Sequence, residues 1–197
     1  MNITDFTTAK GVSFEKYNAE IVKYPDRLEV GFGNYARVSE TVTLVKNDYA
    51  QASVNILLPE NYPFGSRKWS ERWVTFDNYQ QEPKYTVRVA LMCMMSGHLA
   101  IVSNRGSGND GFHLLALSNI IPPVGREFTL SLQVYFHHVH GLVVGYMDDK
   151  EVLYGSGANI EKDTVIGRCR IGIDGASGAV GQSATFRQMV SRYEKRL

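Results

Sequence analysis

The chain is expected to fold as an all-β, two-sheet antiparallel β-sandwich, a single domain over residues 1–197, and three observations predict it. Alternation of apolar and polar residues is the dominant period, and helical spacing is almost absent. Glycine and Asn/Asp clusters fall between the alternating runs, at residues 31–34, 104–111, 148–150 and 174–181. The length of 197 residues, with 44% apolar residues, is enough for one large core and lies within the range that sandwiches occupy as single units.

Taken in chain order, a short strand is expected at residues 27–30. A longer one follows at 35–45 with Val38, Val42 and Leu44 inward, then 50–58 with Ala52, Val54, Ile56 and Leu58 inward. Residues 59–70 carry Pro59, Pro63, Gly65 and Trp69 and read as a long loop. Strands resume at 85–93 (Tyr85, Val87, Val89 and Leu91 inward), 98–102 and 112–117. The clearest alternation spans 127–138, where Phe128, Leu130, Leu132, Val134 and Phe136 share one face and Thr129, Ser131, Gln133, Tyr135 and His137 the other. Tight turns at His140-Gly141 and Asp148-Asp149-Lys150 would make 128–154 a three-strand meander. Near the end, Val165, Cys169, Ile171 and Ile173 alternate with Arg168 and Arg170, and Ala184, Phe186 and Val190 alternate with Thr185 and Arg187.

Composition narrows the function. Twenty-one basic against twenty acidic residues give a net charge of +1, so no global field draws a polyanion and nucleic acid is not an expected partner. No apolar run is long enough to span a membrane, and the N-terminus lacks the pattern of a secretory signal; release within a virus particle would be one route to the outside. Cys93 and Cys169 both fall in alternating segments and read as small core residues, and no cofactor motif stands out. Asn104 to Gly111 superficially looks like a phosphate loop but lacks the following helix and the Lys-Ser/Thr ending. Asp174 to Gly178 offers only one carboxylate for calcium. His138 and His140 share a strand side, yet nothing nearby completes a metal site. Trp69, Trp73, Phe76, Tyr79 and Tyr85 are concentrated in one region, as sugar-stacking rings or as a cap on the core.

The polar faces of the expected strands gather Arg37, Arg88, Arg168, Arg170 and Arg187 with Gln133, Tyr135 and His137. If these strands are neighbours, their guanidinium forks and rings form a groove suited to carboxylated or sulfated sugars. Otherwise they are a solvated face of cross-strand polar pairs.

Two segments resemble the concanavalin A-like jelly-roll superfamily, in particular its laminin-G-like and heparin-lyase-like polysaccharide lyase branches. Val54-Asn55-Ile56-Leu57-Leu58-Pro59-Glu60-Asn61-Tyr62-Pro63 is similar to a strand ending in a Leu-Pro-acidic-x-Tyr-Pro loop. Gly125 to Leu130 through Gly141 to Lys150 is similar to the superfamily pattern of glycine, aromatic, long strand, glycine, strand and Asp-Gly-Lys turn, and Ala184-Thr185-Phe186 to its closing strand. The resemblance implies a concanavalin A-like fold and a glycan as partner. In the lyase branch the strand after the Tyr-Pro loop carries a Gln and a His; here Trp73 to Gln80 has no such histidine. The reading taken is a recognition or structural module, binding a glycan or displayed on an assembly such as a virus particle, with homo-oligomerisation or a coat-protein partner left open. The enzymatic alternative is a lyase acting on a uronate-containing glycan, with His137 as base, Tyr135 as acid and Arg88 on the carboxylate.

Overall fold

The computed structural model describes residues 2–6, 12–33, 35–46, 49–62, 64, 70–77, 87–105, 113–136, 141–157, 165–175 and 182–194. Within them lie fifteen strands and no helix: β1 (Asn2–Asp5), β2 (Val12–Tyr17), β3 (Ile21–Lys23), β4 (Arg27–Gly31), β5 (Tyr35–Lys46), β6 (Tyr49–Leu57), β7 (Glu71–Asp77), β8 (Val87–Cys93), β9 (Leu99–Arg105), β10 (His113–Leu117), β11 (Glu127–Tyr135), β12 (Gly141–Met147), β13 (Lys150–Gly157), β14 (Val165–Asp174) and β15 (Ser183–Glu194). They form two antiparallel sheets. The first has the order β13-β12-β11-β6-β15-β4-β3, with β1 also paired to β15; the second has the order β10-β9-β8-β7-β14-β5-β2. The chain crosses repeatedly between the two, so β6 and β7, or β14 and β15, lie in different sheets although adjacent in sequence. No helix among the described residues is long and apolar enough to cross a membrane.

Alternation builds the core as the sequence predicts. In β6, Ala50, Ala52, Val54 and Ile56 point inward while Gln51, Ser53 and Asn55 point out; in β11, Phe128, Leu130, Leu132 and Val134 do the same opposite them. These side chains meet Trp73, Phe76, Val89, Leu91, Ile101, Cys169 and Ile171 of the second sheet, with Trp73 and Phe128 rings 6.3 Å apart. Both cysteines are buried and neither is in a disulfide, as expected of small core residues. The expected meander is present as β11-β12-β13, and Asp148 and Asp149 take φ of 49° and 61° in the two-residue turn that a right-twisted hairpin favours.

The strands β1, β2, β3 and β7 were not legible as alternating runs. In β7, Trp73, Val74, Thr75, Phe76 and Asp77 are all buried, because both faces of this central strand are covered and alternation disappears. The edge strands β2 and β3 bury little, so they carry almost no pattern. Among the clustered aromatics, Trp73 and Phe76 are core; Trp69, Tyr79 and Tyr85 lie outside the described residues.

Candidate functional site: an arginine-lined face of the second sheet

Five neighbouring strands of the second sheet turn charged side chains outward on the face away from the core. In β14, Cys169, Ile171 and Ile173 point inward, so Arg168, Arg170 and Asp174 share the outer face. The register sets Arg168 and Arg170 beside Asp77 and Thr75 of β7 on one flank, and Arg170 and Gly172 beside Ser39 and Arg37 of β5 on the other. Arg88 of β8 pairs with Asp77, and Glu15 of β2 pairs with Arg37. Gly172 permits this crowding: at φ +144° a Cβ would stand 2.5 Å from the Ala36 carbonyl oxygen and 2.6 Å from the Arg37 Cα.

Three carboxylates tie the face together. Asp77 is fully buried and accepts two parallel bonds from Arg168, Nε to Oδ1 and Nη2 to Oδ2 at 3.1 Å each, and one from Arg170 Nη2 at 2.6 Å. Such fork-to-carboxylate pairing fixes geometry as well as charge. Asp174 Oδ2 lies 2.9 Å from Arg37 Nη1 and 3.5 Å from both Arg72 Nε and Arg170 Nη1. Glu15 Oε2 accepts from Arg37 Nε at 2.9 Å and Nη2 at 2.7 Å. Burial works against the ionised form of Asp174, but Arg72, Arg37, Arg170 and Arg88 together hold its carboxyl below the usual value. Glu15 is lowered likewise, burial being overcome by Arg37, Ser39 and Arg168.

Among the described residues, five guanidinium groups (Arg37, Arg72, Arg88, Arg168, Arg170) thus face three carboxylates. Arg88 is the one without an ion pair or side-chain hydrogen bond among the described residues, and its Nε is sealed from solvent. Burial, with Arg72 and Arg170 nearby, pulls its pKa down to about 10. Beside it, Ala90 and Met92 of β8 and Ala100 and Val102 of β9 make a small buried apolar cluster separate from the main core. Exposure falls from 29% at the Glu15 side chain on the sheet edge to 13% at Arg37 and Arg168, 4% at Arg170 and zero at Asp77, so the centre of the face is recessed.

The residues singled out from the sequence are therefore divided. Arg37, Arg88, Arg168 and Arg170 come together on the second sheet. Gln133 and Tyr135 of β11 and Arg187 of β15 lie on the outer face of the first sheet, which corrects the expectation of one groove holding all of them: alternation gives each strand a polar side without saying which sheet the strand joins. There Tyr135 donates to Gln133 Oε1 at 2.8 Å and packs against Tyr49, ring centroids 4.9 Å apart, and Arg187 Nη1 binds Glu127 Oε2 at 3.0 Å. Burial, with Tyr146 nearby, pushes the Tyr135 phenol up. Arg88 and Tyr135 thus occupy different sheets, and the acid-and-arginine pair imagined for a lyase is not assembled between them. His137, His138 and His140 lie outside the described residues, as does most of the glycine-rich segment after Asn104. No metal-holding cluster occurs among the described residues, and Asp174, weighed from sequence as a calcium ligand, is committed to arginines.

Sequence reasoning missed Glu15, Arg72 and Asp77. Asp77 closes a strand whose run Trp73 to Phe76 shows no period, and Glu15 sits on an edge strand with no apolar partner row.

No family model and no curated protein matches the sequence. Solved structures do match in fold. The alginate lyase vAL-1 from a Chlorella virus superposes with a TM-score of 0.69 at 11% identity, covering 92% of each chain. The Crh5 transglycosylase gives 0.58 at 11% identity over 100% of this chain and 84% of its own. The metal-free Emp46p carbohydrate recognition domain gives 0.56 at 9% identity over 95% of this chain and 89% of its own. Likeness at such identities concerns architecture, and with the two sheets described above it leads to one conclusion: the chain is a two-sheet antiparallel jelly-roll β-sandwich, a fold it shares with an alginate lyase and a carbohydrate recognition domain.

Proposed function

We propose that the protein is a recognition module whose second sheet binds an acidic polysaccharide, the carboxylate or sulfate groups lying against the arginine row. The observation that carries this reading is Arg88, a half-buried guanidinium that makes no direct ion pair among the described residues, near Asp77 and Asp174 but beside Arg72 and Arg170, in a cluster whose described members include more cations than anions. A partly desolvated cation beside like charges is costly, and a bound anion lowers that cost. Arginine suits the task because its planar fork matches carboxylate and sulfate. The row crosses strands β8, β7, β14, β5 and β2, about 19 Å at the usual strand spacing, room for an extended chain rather than a single sugar. The kinship of fold with an alginate lyase and a carbohydrate recognition domain agrees with a glycan ligand. Binding is favoured over elimination because the ionisable groups described on this face are held in ion pairs or are arginine, and neither kind transfers a proton readily near neutral pH. Docking on a coat protein is less well served by this face, since the centres of protein interfaces are depleted in charge.

A glycan array at low salt tests the reading. Binding to alginate, glucuronan or heparin-type polymers, weakened about tenfold or more by Arg88→Ala, is the expected result, one charge-assisted contact being lost. Absence of binding to every acidic glycan would sink it. New ultraviolet absorbance on incubation with the same polymers would replace recognition by lyase activity.

A further inference from the structure

A second concavity borders the sheet-edge end of the arginine row, where β2 passes to β3 and the chain changes sheet. It is a cleft of about 690 Å³, within the range of small-ligand sites. Its wall is rigid for local reasons. Asn18 holds a left-handed conformation at φ 51°, Gly31 N donates to the Glu20 carbonyl at 2.7 Å, and a Cβ on Gly33 would stand 1.8 Å from the Asn18 carbonyl oxygen. The bend is therefore seated against β4 by contacts that only glycine allows.

The lining is polar and mixed. Glu20 and Glu29 accept, while Asn18, Ser183 and Gln182 carry groups that both donate and accept. Lys16 is ion-paired to Glu20, and Glu29 Oε1 lies 3.7 Å from Arg27 Nε. Tyr17 presents a ring that is 55% exposed, braced by Tyr35 with centroids 6.0 Å apart. Hydroxyl groups, which both donate and accept, match such a mixed lining, the two carboxylates disfavour an anion, and an exposed phenol ring suits an apolar sugar face.

We propose that this cleft is a second carbohydrate site that takes an uncharged, hydroxyl-rich sugar, with Tyr17 against its ring face and Glu29 accepting from its hydroxyls. The cleft adjoins the edge of the arginine face, since Tyr17 packs on Tyr35 and Arg37 stacks over the Tyr35 ring at 4.4 Å, so the protein would hold a neutral sugar next to an acidic glycan segment.

The test is titration of the full chain with a panel of neutral di- and trisaccharides of glucose, mannose and galactose, followed by calorimetry and by amide chemical shifts. At least one member should bind below about 10 mM and shift the amides of residues 16–20 and 29–31. Glu29→Gln should weaken it about tenfold, and Val22→Trp, which fills the cleft from a side chain already 46% exposed, should abolish it while the thermal transition is kept. No binding by any neutral sugar up to that concentration, or binding unchanged by both substitutions, overturns the proposal. Acidic glycans report on the arginine face separately, so either site can fail alone.

Discussion

Arg88 shows how a single residue can set stability against function. It is half-buried beside Arg72 and Arg170, and its lowered pKa means that the protonated form is disfavoured by folding. For a cation the sign is that stability is reduced while the group is charged and recovers only as pH rises through about 10 towards the unfolded value. Arg88→Met keeps the stem and removes the charge, so it should raise the melting temperature of the free protein by roughly 2–4 °C per kcal/mol of relieved repulsion, with about 1 kcal/mol expected. The same change should abolish acidic-glycan binding. A calorimetric scan with and without ligand reads both, and a lower melting temperature would show that Arg88 is structurally satisfied. Asp174 behaves oppositely. Its folded carboxyl is depressed, so its contribution is complete above the ordinary value of 3.8 and is lost as pH falls through the folded value. Asp174→Asn should therefore be less stable at pH 7, and its stability should fall less than that of the wild type below about pH 4. Denaturant midpoints across that range would show it.

Among the elements, β14 is the one on which the arginine face depends. It presents core residues and ion-paired residues on opposite sides, and it stands between β7 and β5. Gly172 sits where the outer row of β14 meets Arg37, at a backbone angle strained for any residue with a Cβ. Gly172→Ala should cost about 2 kcal/mol or more, seen as a lower denaturation midpoint, and should weaken acidic-glycan binding by separating Arg37 from Asp174. A midpoint equal to wild type would mean that β5 and β14 can part without penalty. The outer residues Arg168 and Arg170 were legible from alternation with Cys169 and Ile171. Their partner Asp77 was not, because β7 is covered on both faces and its run of apolar residues has no period.

For the whole molecule, the sandwich encloses one main core in which Trp73, Phe6, Phe76, Phe128 and Phe186 are the largest fully buried side chains. Phe128→Ala should destabilise it by about 3–5 kcal/mol, transfer and cavity terms together, and an effect under 1 kcal/mol would contradict the packing described. Cys93 and Cys169 lie inside that core, and burial raises the Cys169 thiol well above its usual value. Neither should react with a thiol reagent until the protein unfolds; rapid labelling of native protein would place them elsewhere. The sequence by itself determined the all-β class, the inward rows of the long strands, the β11-β12-β13 meander and the polar set containing Arg37, Arg88, Arg168 and Arg170, because alternation is a local property of one strand in contact with one core. Only the tertiary structure decided that these four arginines share a sheet while Gln133, Tyr135 and Arg187 belong to the other, that Glu15, Asp77 and Asp174 neutralise part of the row, and that Arg88 is left over. Strand order and sheet membership arise from contacts between residues far apart in the chain, such as Asp77 with Arg168, and no local pattern encodes them.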